Sequence, residues 1–131
     1  MRASSTKKES IELWGSGRPY REFLYVDDLA EACVFLLNHF NAPKDKEAEK
    51  MFFNMGCGED ITIKDLAELV KKTVGFEGKI VWDASKPDGT FRKLMDVSQL
   101  TGVGWKATTS LEDGIQKAYK WFLDNEGNFR T

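Results

Sequence analysis

Short apolar runs alternate along this chain with stretches whose apolar residues recur at helical spacing, and each switch predicts a change of element. Ile11 to Trp14 reads as a strand, stopped by the turn-forming cluster Gly15-Ser16-Gly17-Arg18-Pro19. Arg21 to Val26 resumes with aromatic and branched residues and predicts a second strand. Asp27 then stands where an N-cap carboxylate would accept from the unpaired amides of a first helical turn. Leu29, Cys33, Leu36, Leu37 and Phe40 predict the apolar face of the helix that follows.

Asn41 to Lys50 is charged, contains proline and has no apolar face, which predicts a surface linker. Met51 to Met55 is continuous and apolar, as in a buried strand, and Gly56-Cys57-Gly58 ends it. Thr62 and Asp65 have near capping-box spacing ahead of Leu66, Leu69, Val70 and Val74, an amphipathic helix that stops at Gly75. Lys79 to Trp82 is a further strand. Ser85-Lys86-Pro87-Asp88-Gly89 is a turn, because proline presets one torsion and glycine accepts a positive one. A short helical segment is expected after Asp96, before Gly102 and Gly104 interrupt the chain. Ser110 caps a last helix with Leu111, Ile115, Ala118, Tyr119 and Phe122 on one face, and Gly127 ends it. Strands alternating with helices point to an α/β or α+β arrangement, with no internal repeat.

The 131 residues suit one domain with a modest core, and 41% hydrophobic with 31% charged residues is the balance of a globular protein. A net charge of -2 argues against a general nucleic-acid or membrane-surface partner, though local basic clusters can still hold phosphate. No apolar run has the length to span a bilayer, and the polar start, Met1 to Ser10, reads as a loose arm unlike a signal peptide. Cys33 and Cys57 lack C-x-x-C partners, so neither a disulfide framework nor a metal site is expected, and the compartment is read as the cytoplasm.

The run Trp14-Gly15-Ser16-Gly17-Arg18-Pro19-Tyr20-Arg21-Glu22-Phe23-Leu24-Tyr25-Val26-Asp27-Asp28-Leu29-Ala30 resembles the segment that extended short-chain dehydrogenase/reductases carry after their catalytic half. The run from Asp83 to Ser98, with Ser85-Lys86-Pro87-Asp88-Gly89 and Arg92-Lys93 inside it, is similar more narrowly to the GDP-L-fucose synthase family. So are Gly104-Trp105, the run from Ser110 to Ile115, and that from Tyr119 to Leu123. The resemblance implies an α/β fold, the C-terminal part of a Rossmann-type reductase: its last strands and helices with the small substrate-binding subdomain. On this reading residues 1–10 are an arm, 11–126 a nucleotide-sugar-binding domain and 127–131 a tail.

The family's reaction takes GDP-4-keto-6-deoxymannose to GDP-L-fucose by epimerisation and hydride transfer from NADPH. The residues matching Trp14, Arg21 and Asp88 would then contact the nucleotide sugar, with Lys93 and Arg92 as further candidates. The chemistry suits those positions: an arginine fork pairs with pyrophosphate oxygens, an indole offers a flat face, and a carboxylate accepts from hydroxyls or a guanine edge. Phe91 stands where this family usually has proline.

The departures are as informative. Neither Gly15-Ser16-Gly17 nor Gly56-Cys57-Gly58 has the third glycine of a dinucleotide fingerprint. None of Tyr20, Tyr25 and Tyr119 has a lysine four positions on, so no catalytic residue and no cofactor-binding residue is assigned, although the full-length family uses NADP. The expectation is a part that binds a GDP-sugar, is inactive alone and forms a homo-oligomer. A non-catalytic GDP-sugar module and an orphaned self-associating fragment are the alternatives. Each site residue also has a plain reading: Trp14 as a core aromatic, Arg21 paired with Glu22 or Asp28, Asp88 as a turn residue, Lys93 as a solvated charge and His39 as a helix-end histidine.

Overall fold

The computed structural model describes residues 9–41, 43–44 and 52–126. The first eight residues of the expected arm, Met51, most of the 41–50 linker and everything from Gly127 lie outside them. Strand β1 (Ser10–Trp14) runs parallel to β4 (Lys79–Asp83), with Trp14 opposite Asp83. Glu9 extends that ladder by accepting from the Lys79 amide at 2.9 Å, so the end of the expected arm is tied down. A second sheet has the order β3-β2-β5: β2 (Tyr20–Glu22) lies antiparallel to β3 (Asp60–Thr62) and parallel to β5 (Arg92–Lys93).

Two connections therefore run side by side between the sheets, one from β1 to β2 and one from β4 to β5. The first depends on glycine. Gly15 and Gly17 adopt φ of 85° and 73°, and a Cβ on Gly17 would lie 2.7 Å from the Trp82 ring.

Helix α1 spans Val26–His39, α2 Ile63–Val74, the short α3 Ser98–Gly102 and α4 Leu111–Asp124. The caps of α2 and α4 follow the residue pattern. Thr62 Oγ1 accepts from the Asp65 amide at 3.0 Å, Ser110 Oγ from the Asp113 amide at 3.1 Å, and Gly75 closes α2 in the left-handed conformation. Lys72 of α2 meets Glu112 of α4 at 3.2 Å.

Four expectations are corrected. The strand expected over Arg21 to Val26 is only Tyr20–Glu22, because α1 already begins at Val26 with Tyr25 at its N-cap. No side chain caps that end, so Asp27 lies in the first turn, where it complements the helix dipole. Among the described residues of Met51 to Met55 no strand forms, since no neighbouring strand pairs with them; Phe53 and Met55 instead pack on the core. The expected apolar face of α1 holds only in part: Leu36 packs on the core and Phe40 meets the Phe53 ring, but the covered stripe is shifted. Ala32, Phe35 and Leu36 face the core, while Leu29, Cys33 and Leu37 are exposed, Leu37 at 84%. The core is small, centred on Ala32, Leu100 and Trp105.

Candidate functional site

The two connections between the sheets meet at Ser16 and Asp88. Ser16 donates its amide to Asp88 Oδ1 at 2.8 Å and its hydroxyl to Oδ2 at 2.5 Å. The Asp88 carboxyl is held below its ordinary pKa by the Ser16 hydroxyl first, then by the Ser16 amide and the nearby Arg18 charge. The turn reading of Asp88 fits these bonds, since the carboxylate braces the Ser16 loop, and Asp88 also lines a cavity of about 140 Å³. Trp14, Pro19, Arg21 and Ile63 share that cavity.

Arg21 reaches it from the middle of β2. Its Nη1 donates to the Tyr20 carbonyl at 2.5 Å, and Nη2 would lie 3.3 Å from a Cβ placed on Gly89. The ion pairs considered for Arg21 do not form. Glu22 accepts from the Gly58 amide at 2.7 Å and the Met95 amide at 3.0 Å, and Asp28 serves the loop before α4. Trp14 is no core residue: it is 74% exposed, with the Lys86 ammonium 5.6 Å from its ring centre. Lys93 pairs with Arg21 through the backbone and so shares its sheet face, but it is outside the cavity lining.

Arg92 is engaged within the sheet. Its guanidinium crosses over Tyr20 to Asp60, with Nε to Oδ2 at 2.5 Å and Nη2 to Oδ1 at 3.1 Å. His39 sits in the last turn of α1, bonded to the Phe35 carbonyl at 3.0 Å and stacked on the Phe35 ring.

Arg21 also lines a second, larger cavity of about 470 Å³, with Phe23, Glu59, Ile61, Lys106 and Thr108 among its walls. Residue reasoning missed Ser16, Glu22 and Asp28. Asp28 is buried and accepts from the Thr108 amide (3.0 Å), the Thr109 amide (2.8 Å) and the Thr109 hydroxyl (2.7 Å), fastening α1 to the α4 entry. Burial pushes its pKa up, but those bonds, with Lys117, more than reverse this and leave it lowered. The signal was the adjacent pair Asp27-Asp28, of which only one could be a helix cap.

A dinucleotide loop needs a glycine turn opening directly into a helix. Gly15-Ser16-Gly17 leads into β2 and Gly56-Cys57-Gly58 into β3, so neither is a dinucleotide loop.

Residues 1–56 match the NAD dependent epimerase/dehydratase family. GDP-L-fucose synthase 1 of Arabidopsis thaliana is 52% identical over 120 residues, 92% of this chain and 35% of that protein. The chain belongs to this family. GDP-L-fucose synthase of Escherichia coli K12 is 43% identical over 130 residues, 98% of this chain and 40% of that protein. The chain therefore spans little more than a third of the length of the relatives it matches. Among solved structures, a GDP-6-OMe-4-keto-L-xylo-heptose reductase from C. jejuni superposes with a TM-score of 0.82 at 37% identity, over 90% of this chain and 35% of that one. The chain is thus a GDP-L-fucose synthase-like member of the epimerase/dehydratase family. Its fold is the mixed α/β fold of Rossmann-type extended reductases, over about that share of their length.

Proposed function

We propose that this chain is the C-terminal, nucleotide-sugar-binding part of a GDP-L-fucose synthase-like epimerase/reductase, and that it does no chemistry alone. The observation that carries the reading is the cavity shared by Trp14, Arg21 and Asp88 at the junction of the two sheets. Arg21 supplies a planar fork for a diphosphate, Trp14 an open indole face for the base, and Asp88 an acceptor whose lowered pKa keeps it charged at neutral pH. Lys93, on the Arg21 face of the sheet, adds positive charge toward the same ligand.

The reaction of the whole protein would convert GDP-4-keto-6-deoxymannose to GDP-L-fucose with NADPH, which needs an acid/base pair beside the ketone. No Tyr-x-x-x-Lys is present to supply one. Residues 11–126 form the binding unit on this reading, in a cytoplasmic protein; among the described residues no helix is long and apolar enough to cross a membrane.

An isolated half-site leaves much of the ligand in water, so affinity in the region of ~1 mM, or about −4 kcal/mol, is expected. Calorimetric titration with GDP-mannose tests this. Arg21→Ala should abolish the heat, and an unchanged isotherm would remove the assignment. A second reading, self-association, is favoured by one specific observation: the exposed Leu29, Cys33 and Leu37 on α1.

A further inference from the structure

We propose that the Asp88-Gly89 pair is a site of spontaneous aspartate isomerisation, and that Ser16 holds this reaction in check by clamping the Asp88 carboxylate. The proposal does not depend on what the nearby cavity holds. Aspartate followed by glycine is the pair most open to the reaction, because no Cβ shields the glycine nitrogen. The Gly89 nitrogen attacks Cγ of the Asp88 carboxylic acid, and a C–N bond forms as a C–O bond breaks. The departing oxygen takes the carboxyl proton and the amide proton with it and leaves as water. Water then opens the five-membered imide at either carbonyl. One opening restores aspartate; the other leaves the chain running through Cγ as isoaspartate.

The chain holds two Asp-Gly pairs, Asp88-Gly89 and Asp113-Gly114, in opposite settings. Asp113 and Gly114 lie in the first turn of α4, where Gly114 is buried and its amide donates to the Ser110 carbonyl at 2.9 Å, which occupies the nucleophile. Asp88 and Gly89 are exposed on irregular backbone between β4 and β5, and among the described residues no acceptor holds the Gly89 amide. The restraint on this pair acts at the carboxylate instead. Its two oxygens accept from the Ser16 amide at 2.8 Å and the Ser16 hydroxyl at 2.5 Å, and a Cβ on Gly15 would lie 2.5 Å from Oδ1. The carboxylate is thus seated against the neighbouring β1–β2 connection. Attack at Cγ makes that carbon tetrahedral and draws it onto the Gly89 nitrogen, which displaces both oxygens from Ser16. The oxygen also leaves only from a protonated carboxyl, and the Ser16 bonds, with the Arg18 charge, keep Asp88 ionised.

Wild-type chain, Ser16→Ala and Ser16→Thr are incubated warm at neutral pH, and isoaspartate at each Asp-Gly pair is counted by enzymatic methylation and peptide mapping. Ser16→Ala removes the hydroxyl bond and should raise the Asp88 rate about tenfold, as loss of a hydrogen bond to a charged group implies. Ser16→Thr keeps the hydroxyl and should stay near the wild-type rate. Asp113 should be unchanged in all three, which reports an intact fold. An Asp88 rate unmoved by Ser16→Ala, or equal rises at Asp88 and Asp113, would overturn the clamp. Adding Gly89→Ala to Ser16→Ala should return the rate to wild type or below, since a Cβ there shields the nitrogen and meets only the flexible end of Arg21, at 3.3 Å. Folded wild type compared with wild type in urea needs no variant. Asp88 should isomerise about tenfold more slowly in the fold, and equal rates would also overturn the proposal.

Discussion

Gly17 and Gly75 share a left-handed backbone, φ 73° and 69°, in opposite surroundings. A Cβ on Gly17 would meet the Trp82 ring at 2.7 Å, whereas one on Gly75 would have nothing within 4 Å. Alanine at Gly75 should cost only the left-handed penalty, ~1 kcal/mol, while alanine at Gly17 adds overpacking against a ring and should cost about 3 kcal/mol. Urea unfolding of the two variants measures the difference; equal midpoints would mean that the β1–β2 connection does not rest on Trp82. Asp28 provides a second test. Its pKa is lowered in the fold, so its contribution is complete above the ordinary carboxylate value of ~3.9 and is lost as pH falls through the lower folded value. Asp28→Asn should lose about 2 kcal/mol at neutral pH, and it should then fall less steeply than wild type between pH ~5 and ~3. Parallel pH profiles for the two proteins would contradict this account of the clamp. Neither glycine contact nor carboxylate clamp was visible in residue order. Each joins positions far apart in the chain, Asp28 to Thr109 and Gly17 to Trp82.

Elements whose signals are local were legible. Thr62 and Ser110 cap α2 and α4 as their spacing predicts, and Gly75 ends α2, because a cap and its helix lie within a few residues of each other. Elements whose partners decide them were not. Met51 to Met55 has strand composition but finds no strand beside it, and β5 (Arg92–Lys93) went unrecognised because only its pairing with β2 makes it a strand. Leu36 is covered as its spacing predicts, but Leu29, Cys33 and Leu37 follow the 3.6 period as well as Ala32 and Phe35 do, and periodicity alone cannot say which of them is covered. The uncovered residues of α1, Leu37 at 84% exposure among them, are apolar surface that a lone chain tolerates poorly. Light scattering should therefore give a mass that rises with concentration, and Leu37→Lys should lower it. A constant mass near 14.9 kDa would end the self-association reading.

For the whole molecule, the candidate site was half legible. Trp14, Arg21 and Asp88 stand out through family resemblance, and the side-by-side connections between two sheets bring them around one cavity. Ser16, which fixes Asp88, and the second space beyond Arg21 exist only through the fold. The purified chain should not oxidise NADPH in the presence of the keto-sugar; turnover that survives repurification would refute a binding-only part. The central claim, a nucleotide-sugar site at the sheet junction, is tested most directly by an NMR titration with GDP-mannose. The account predicts saturable shifts of the Trp14 indole, the Arg21 amide and the Asp88 and Gly89 amides, with a midpoint near ~1 mM. Shifts elsewhere in the chain while those resonances stay still would contradict it.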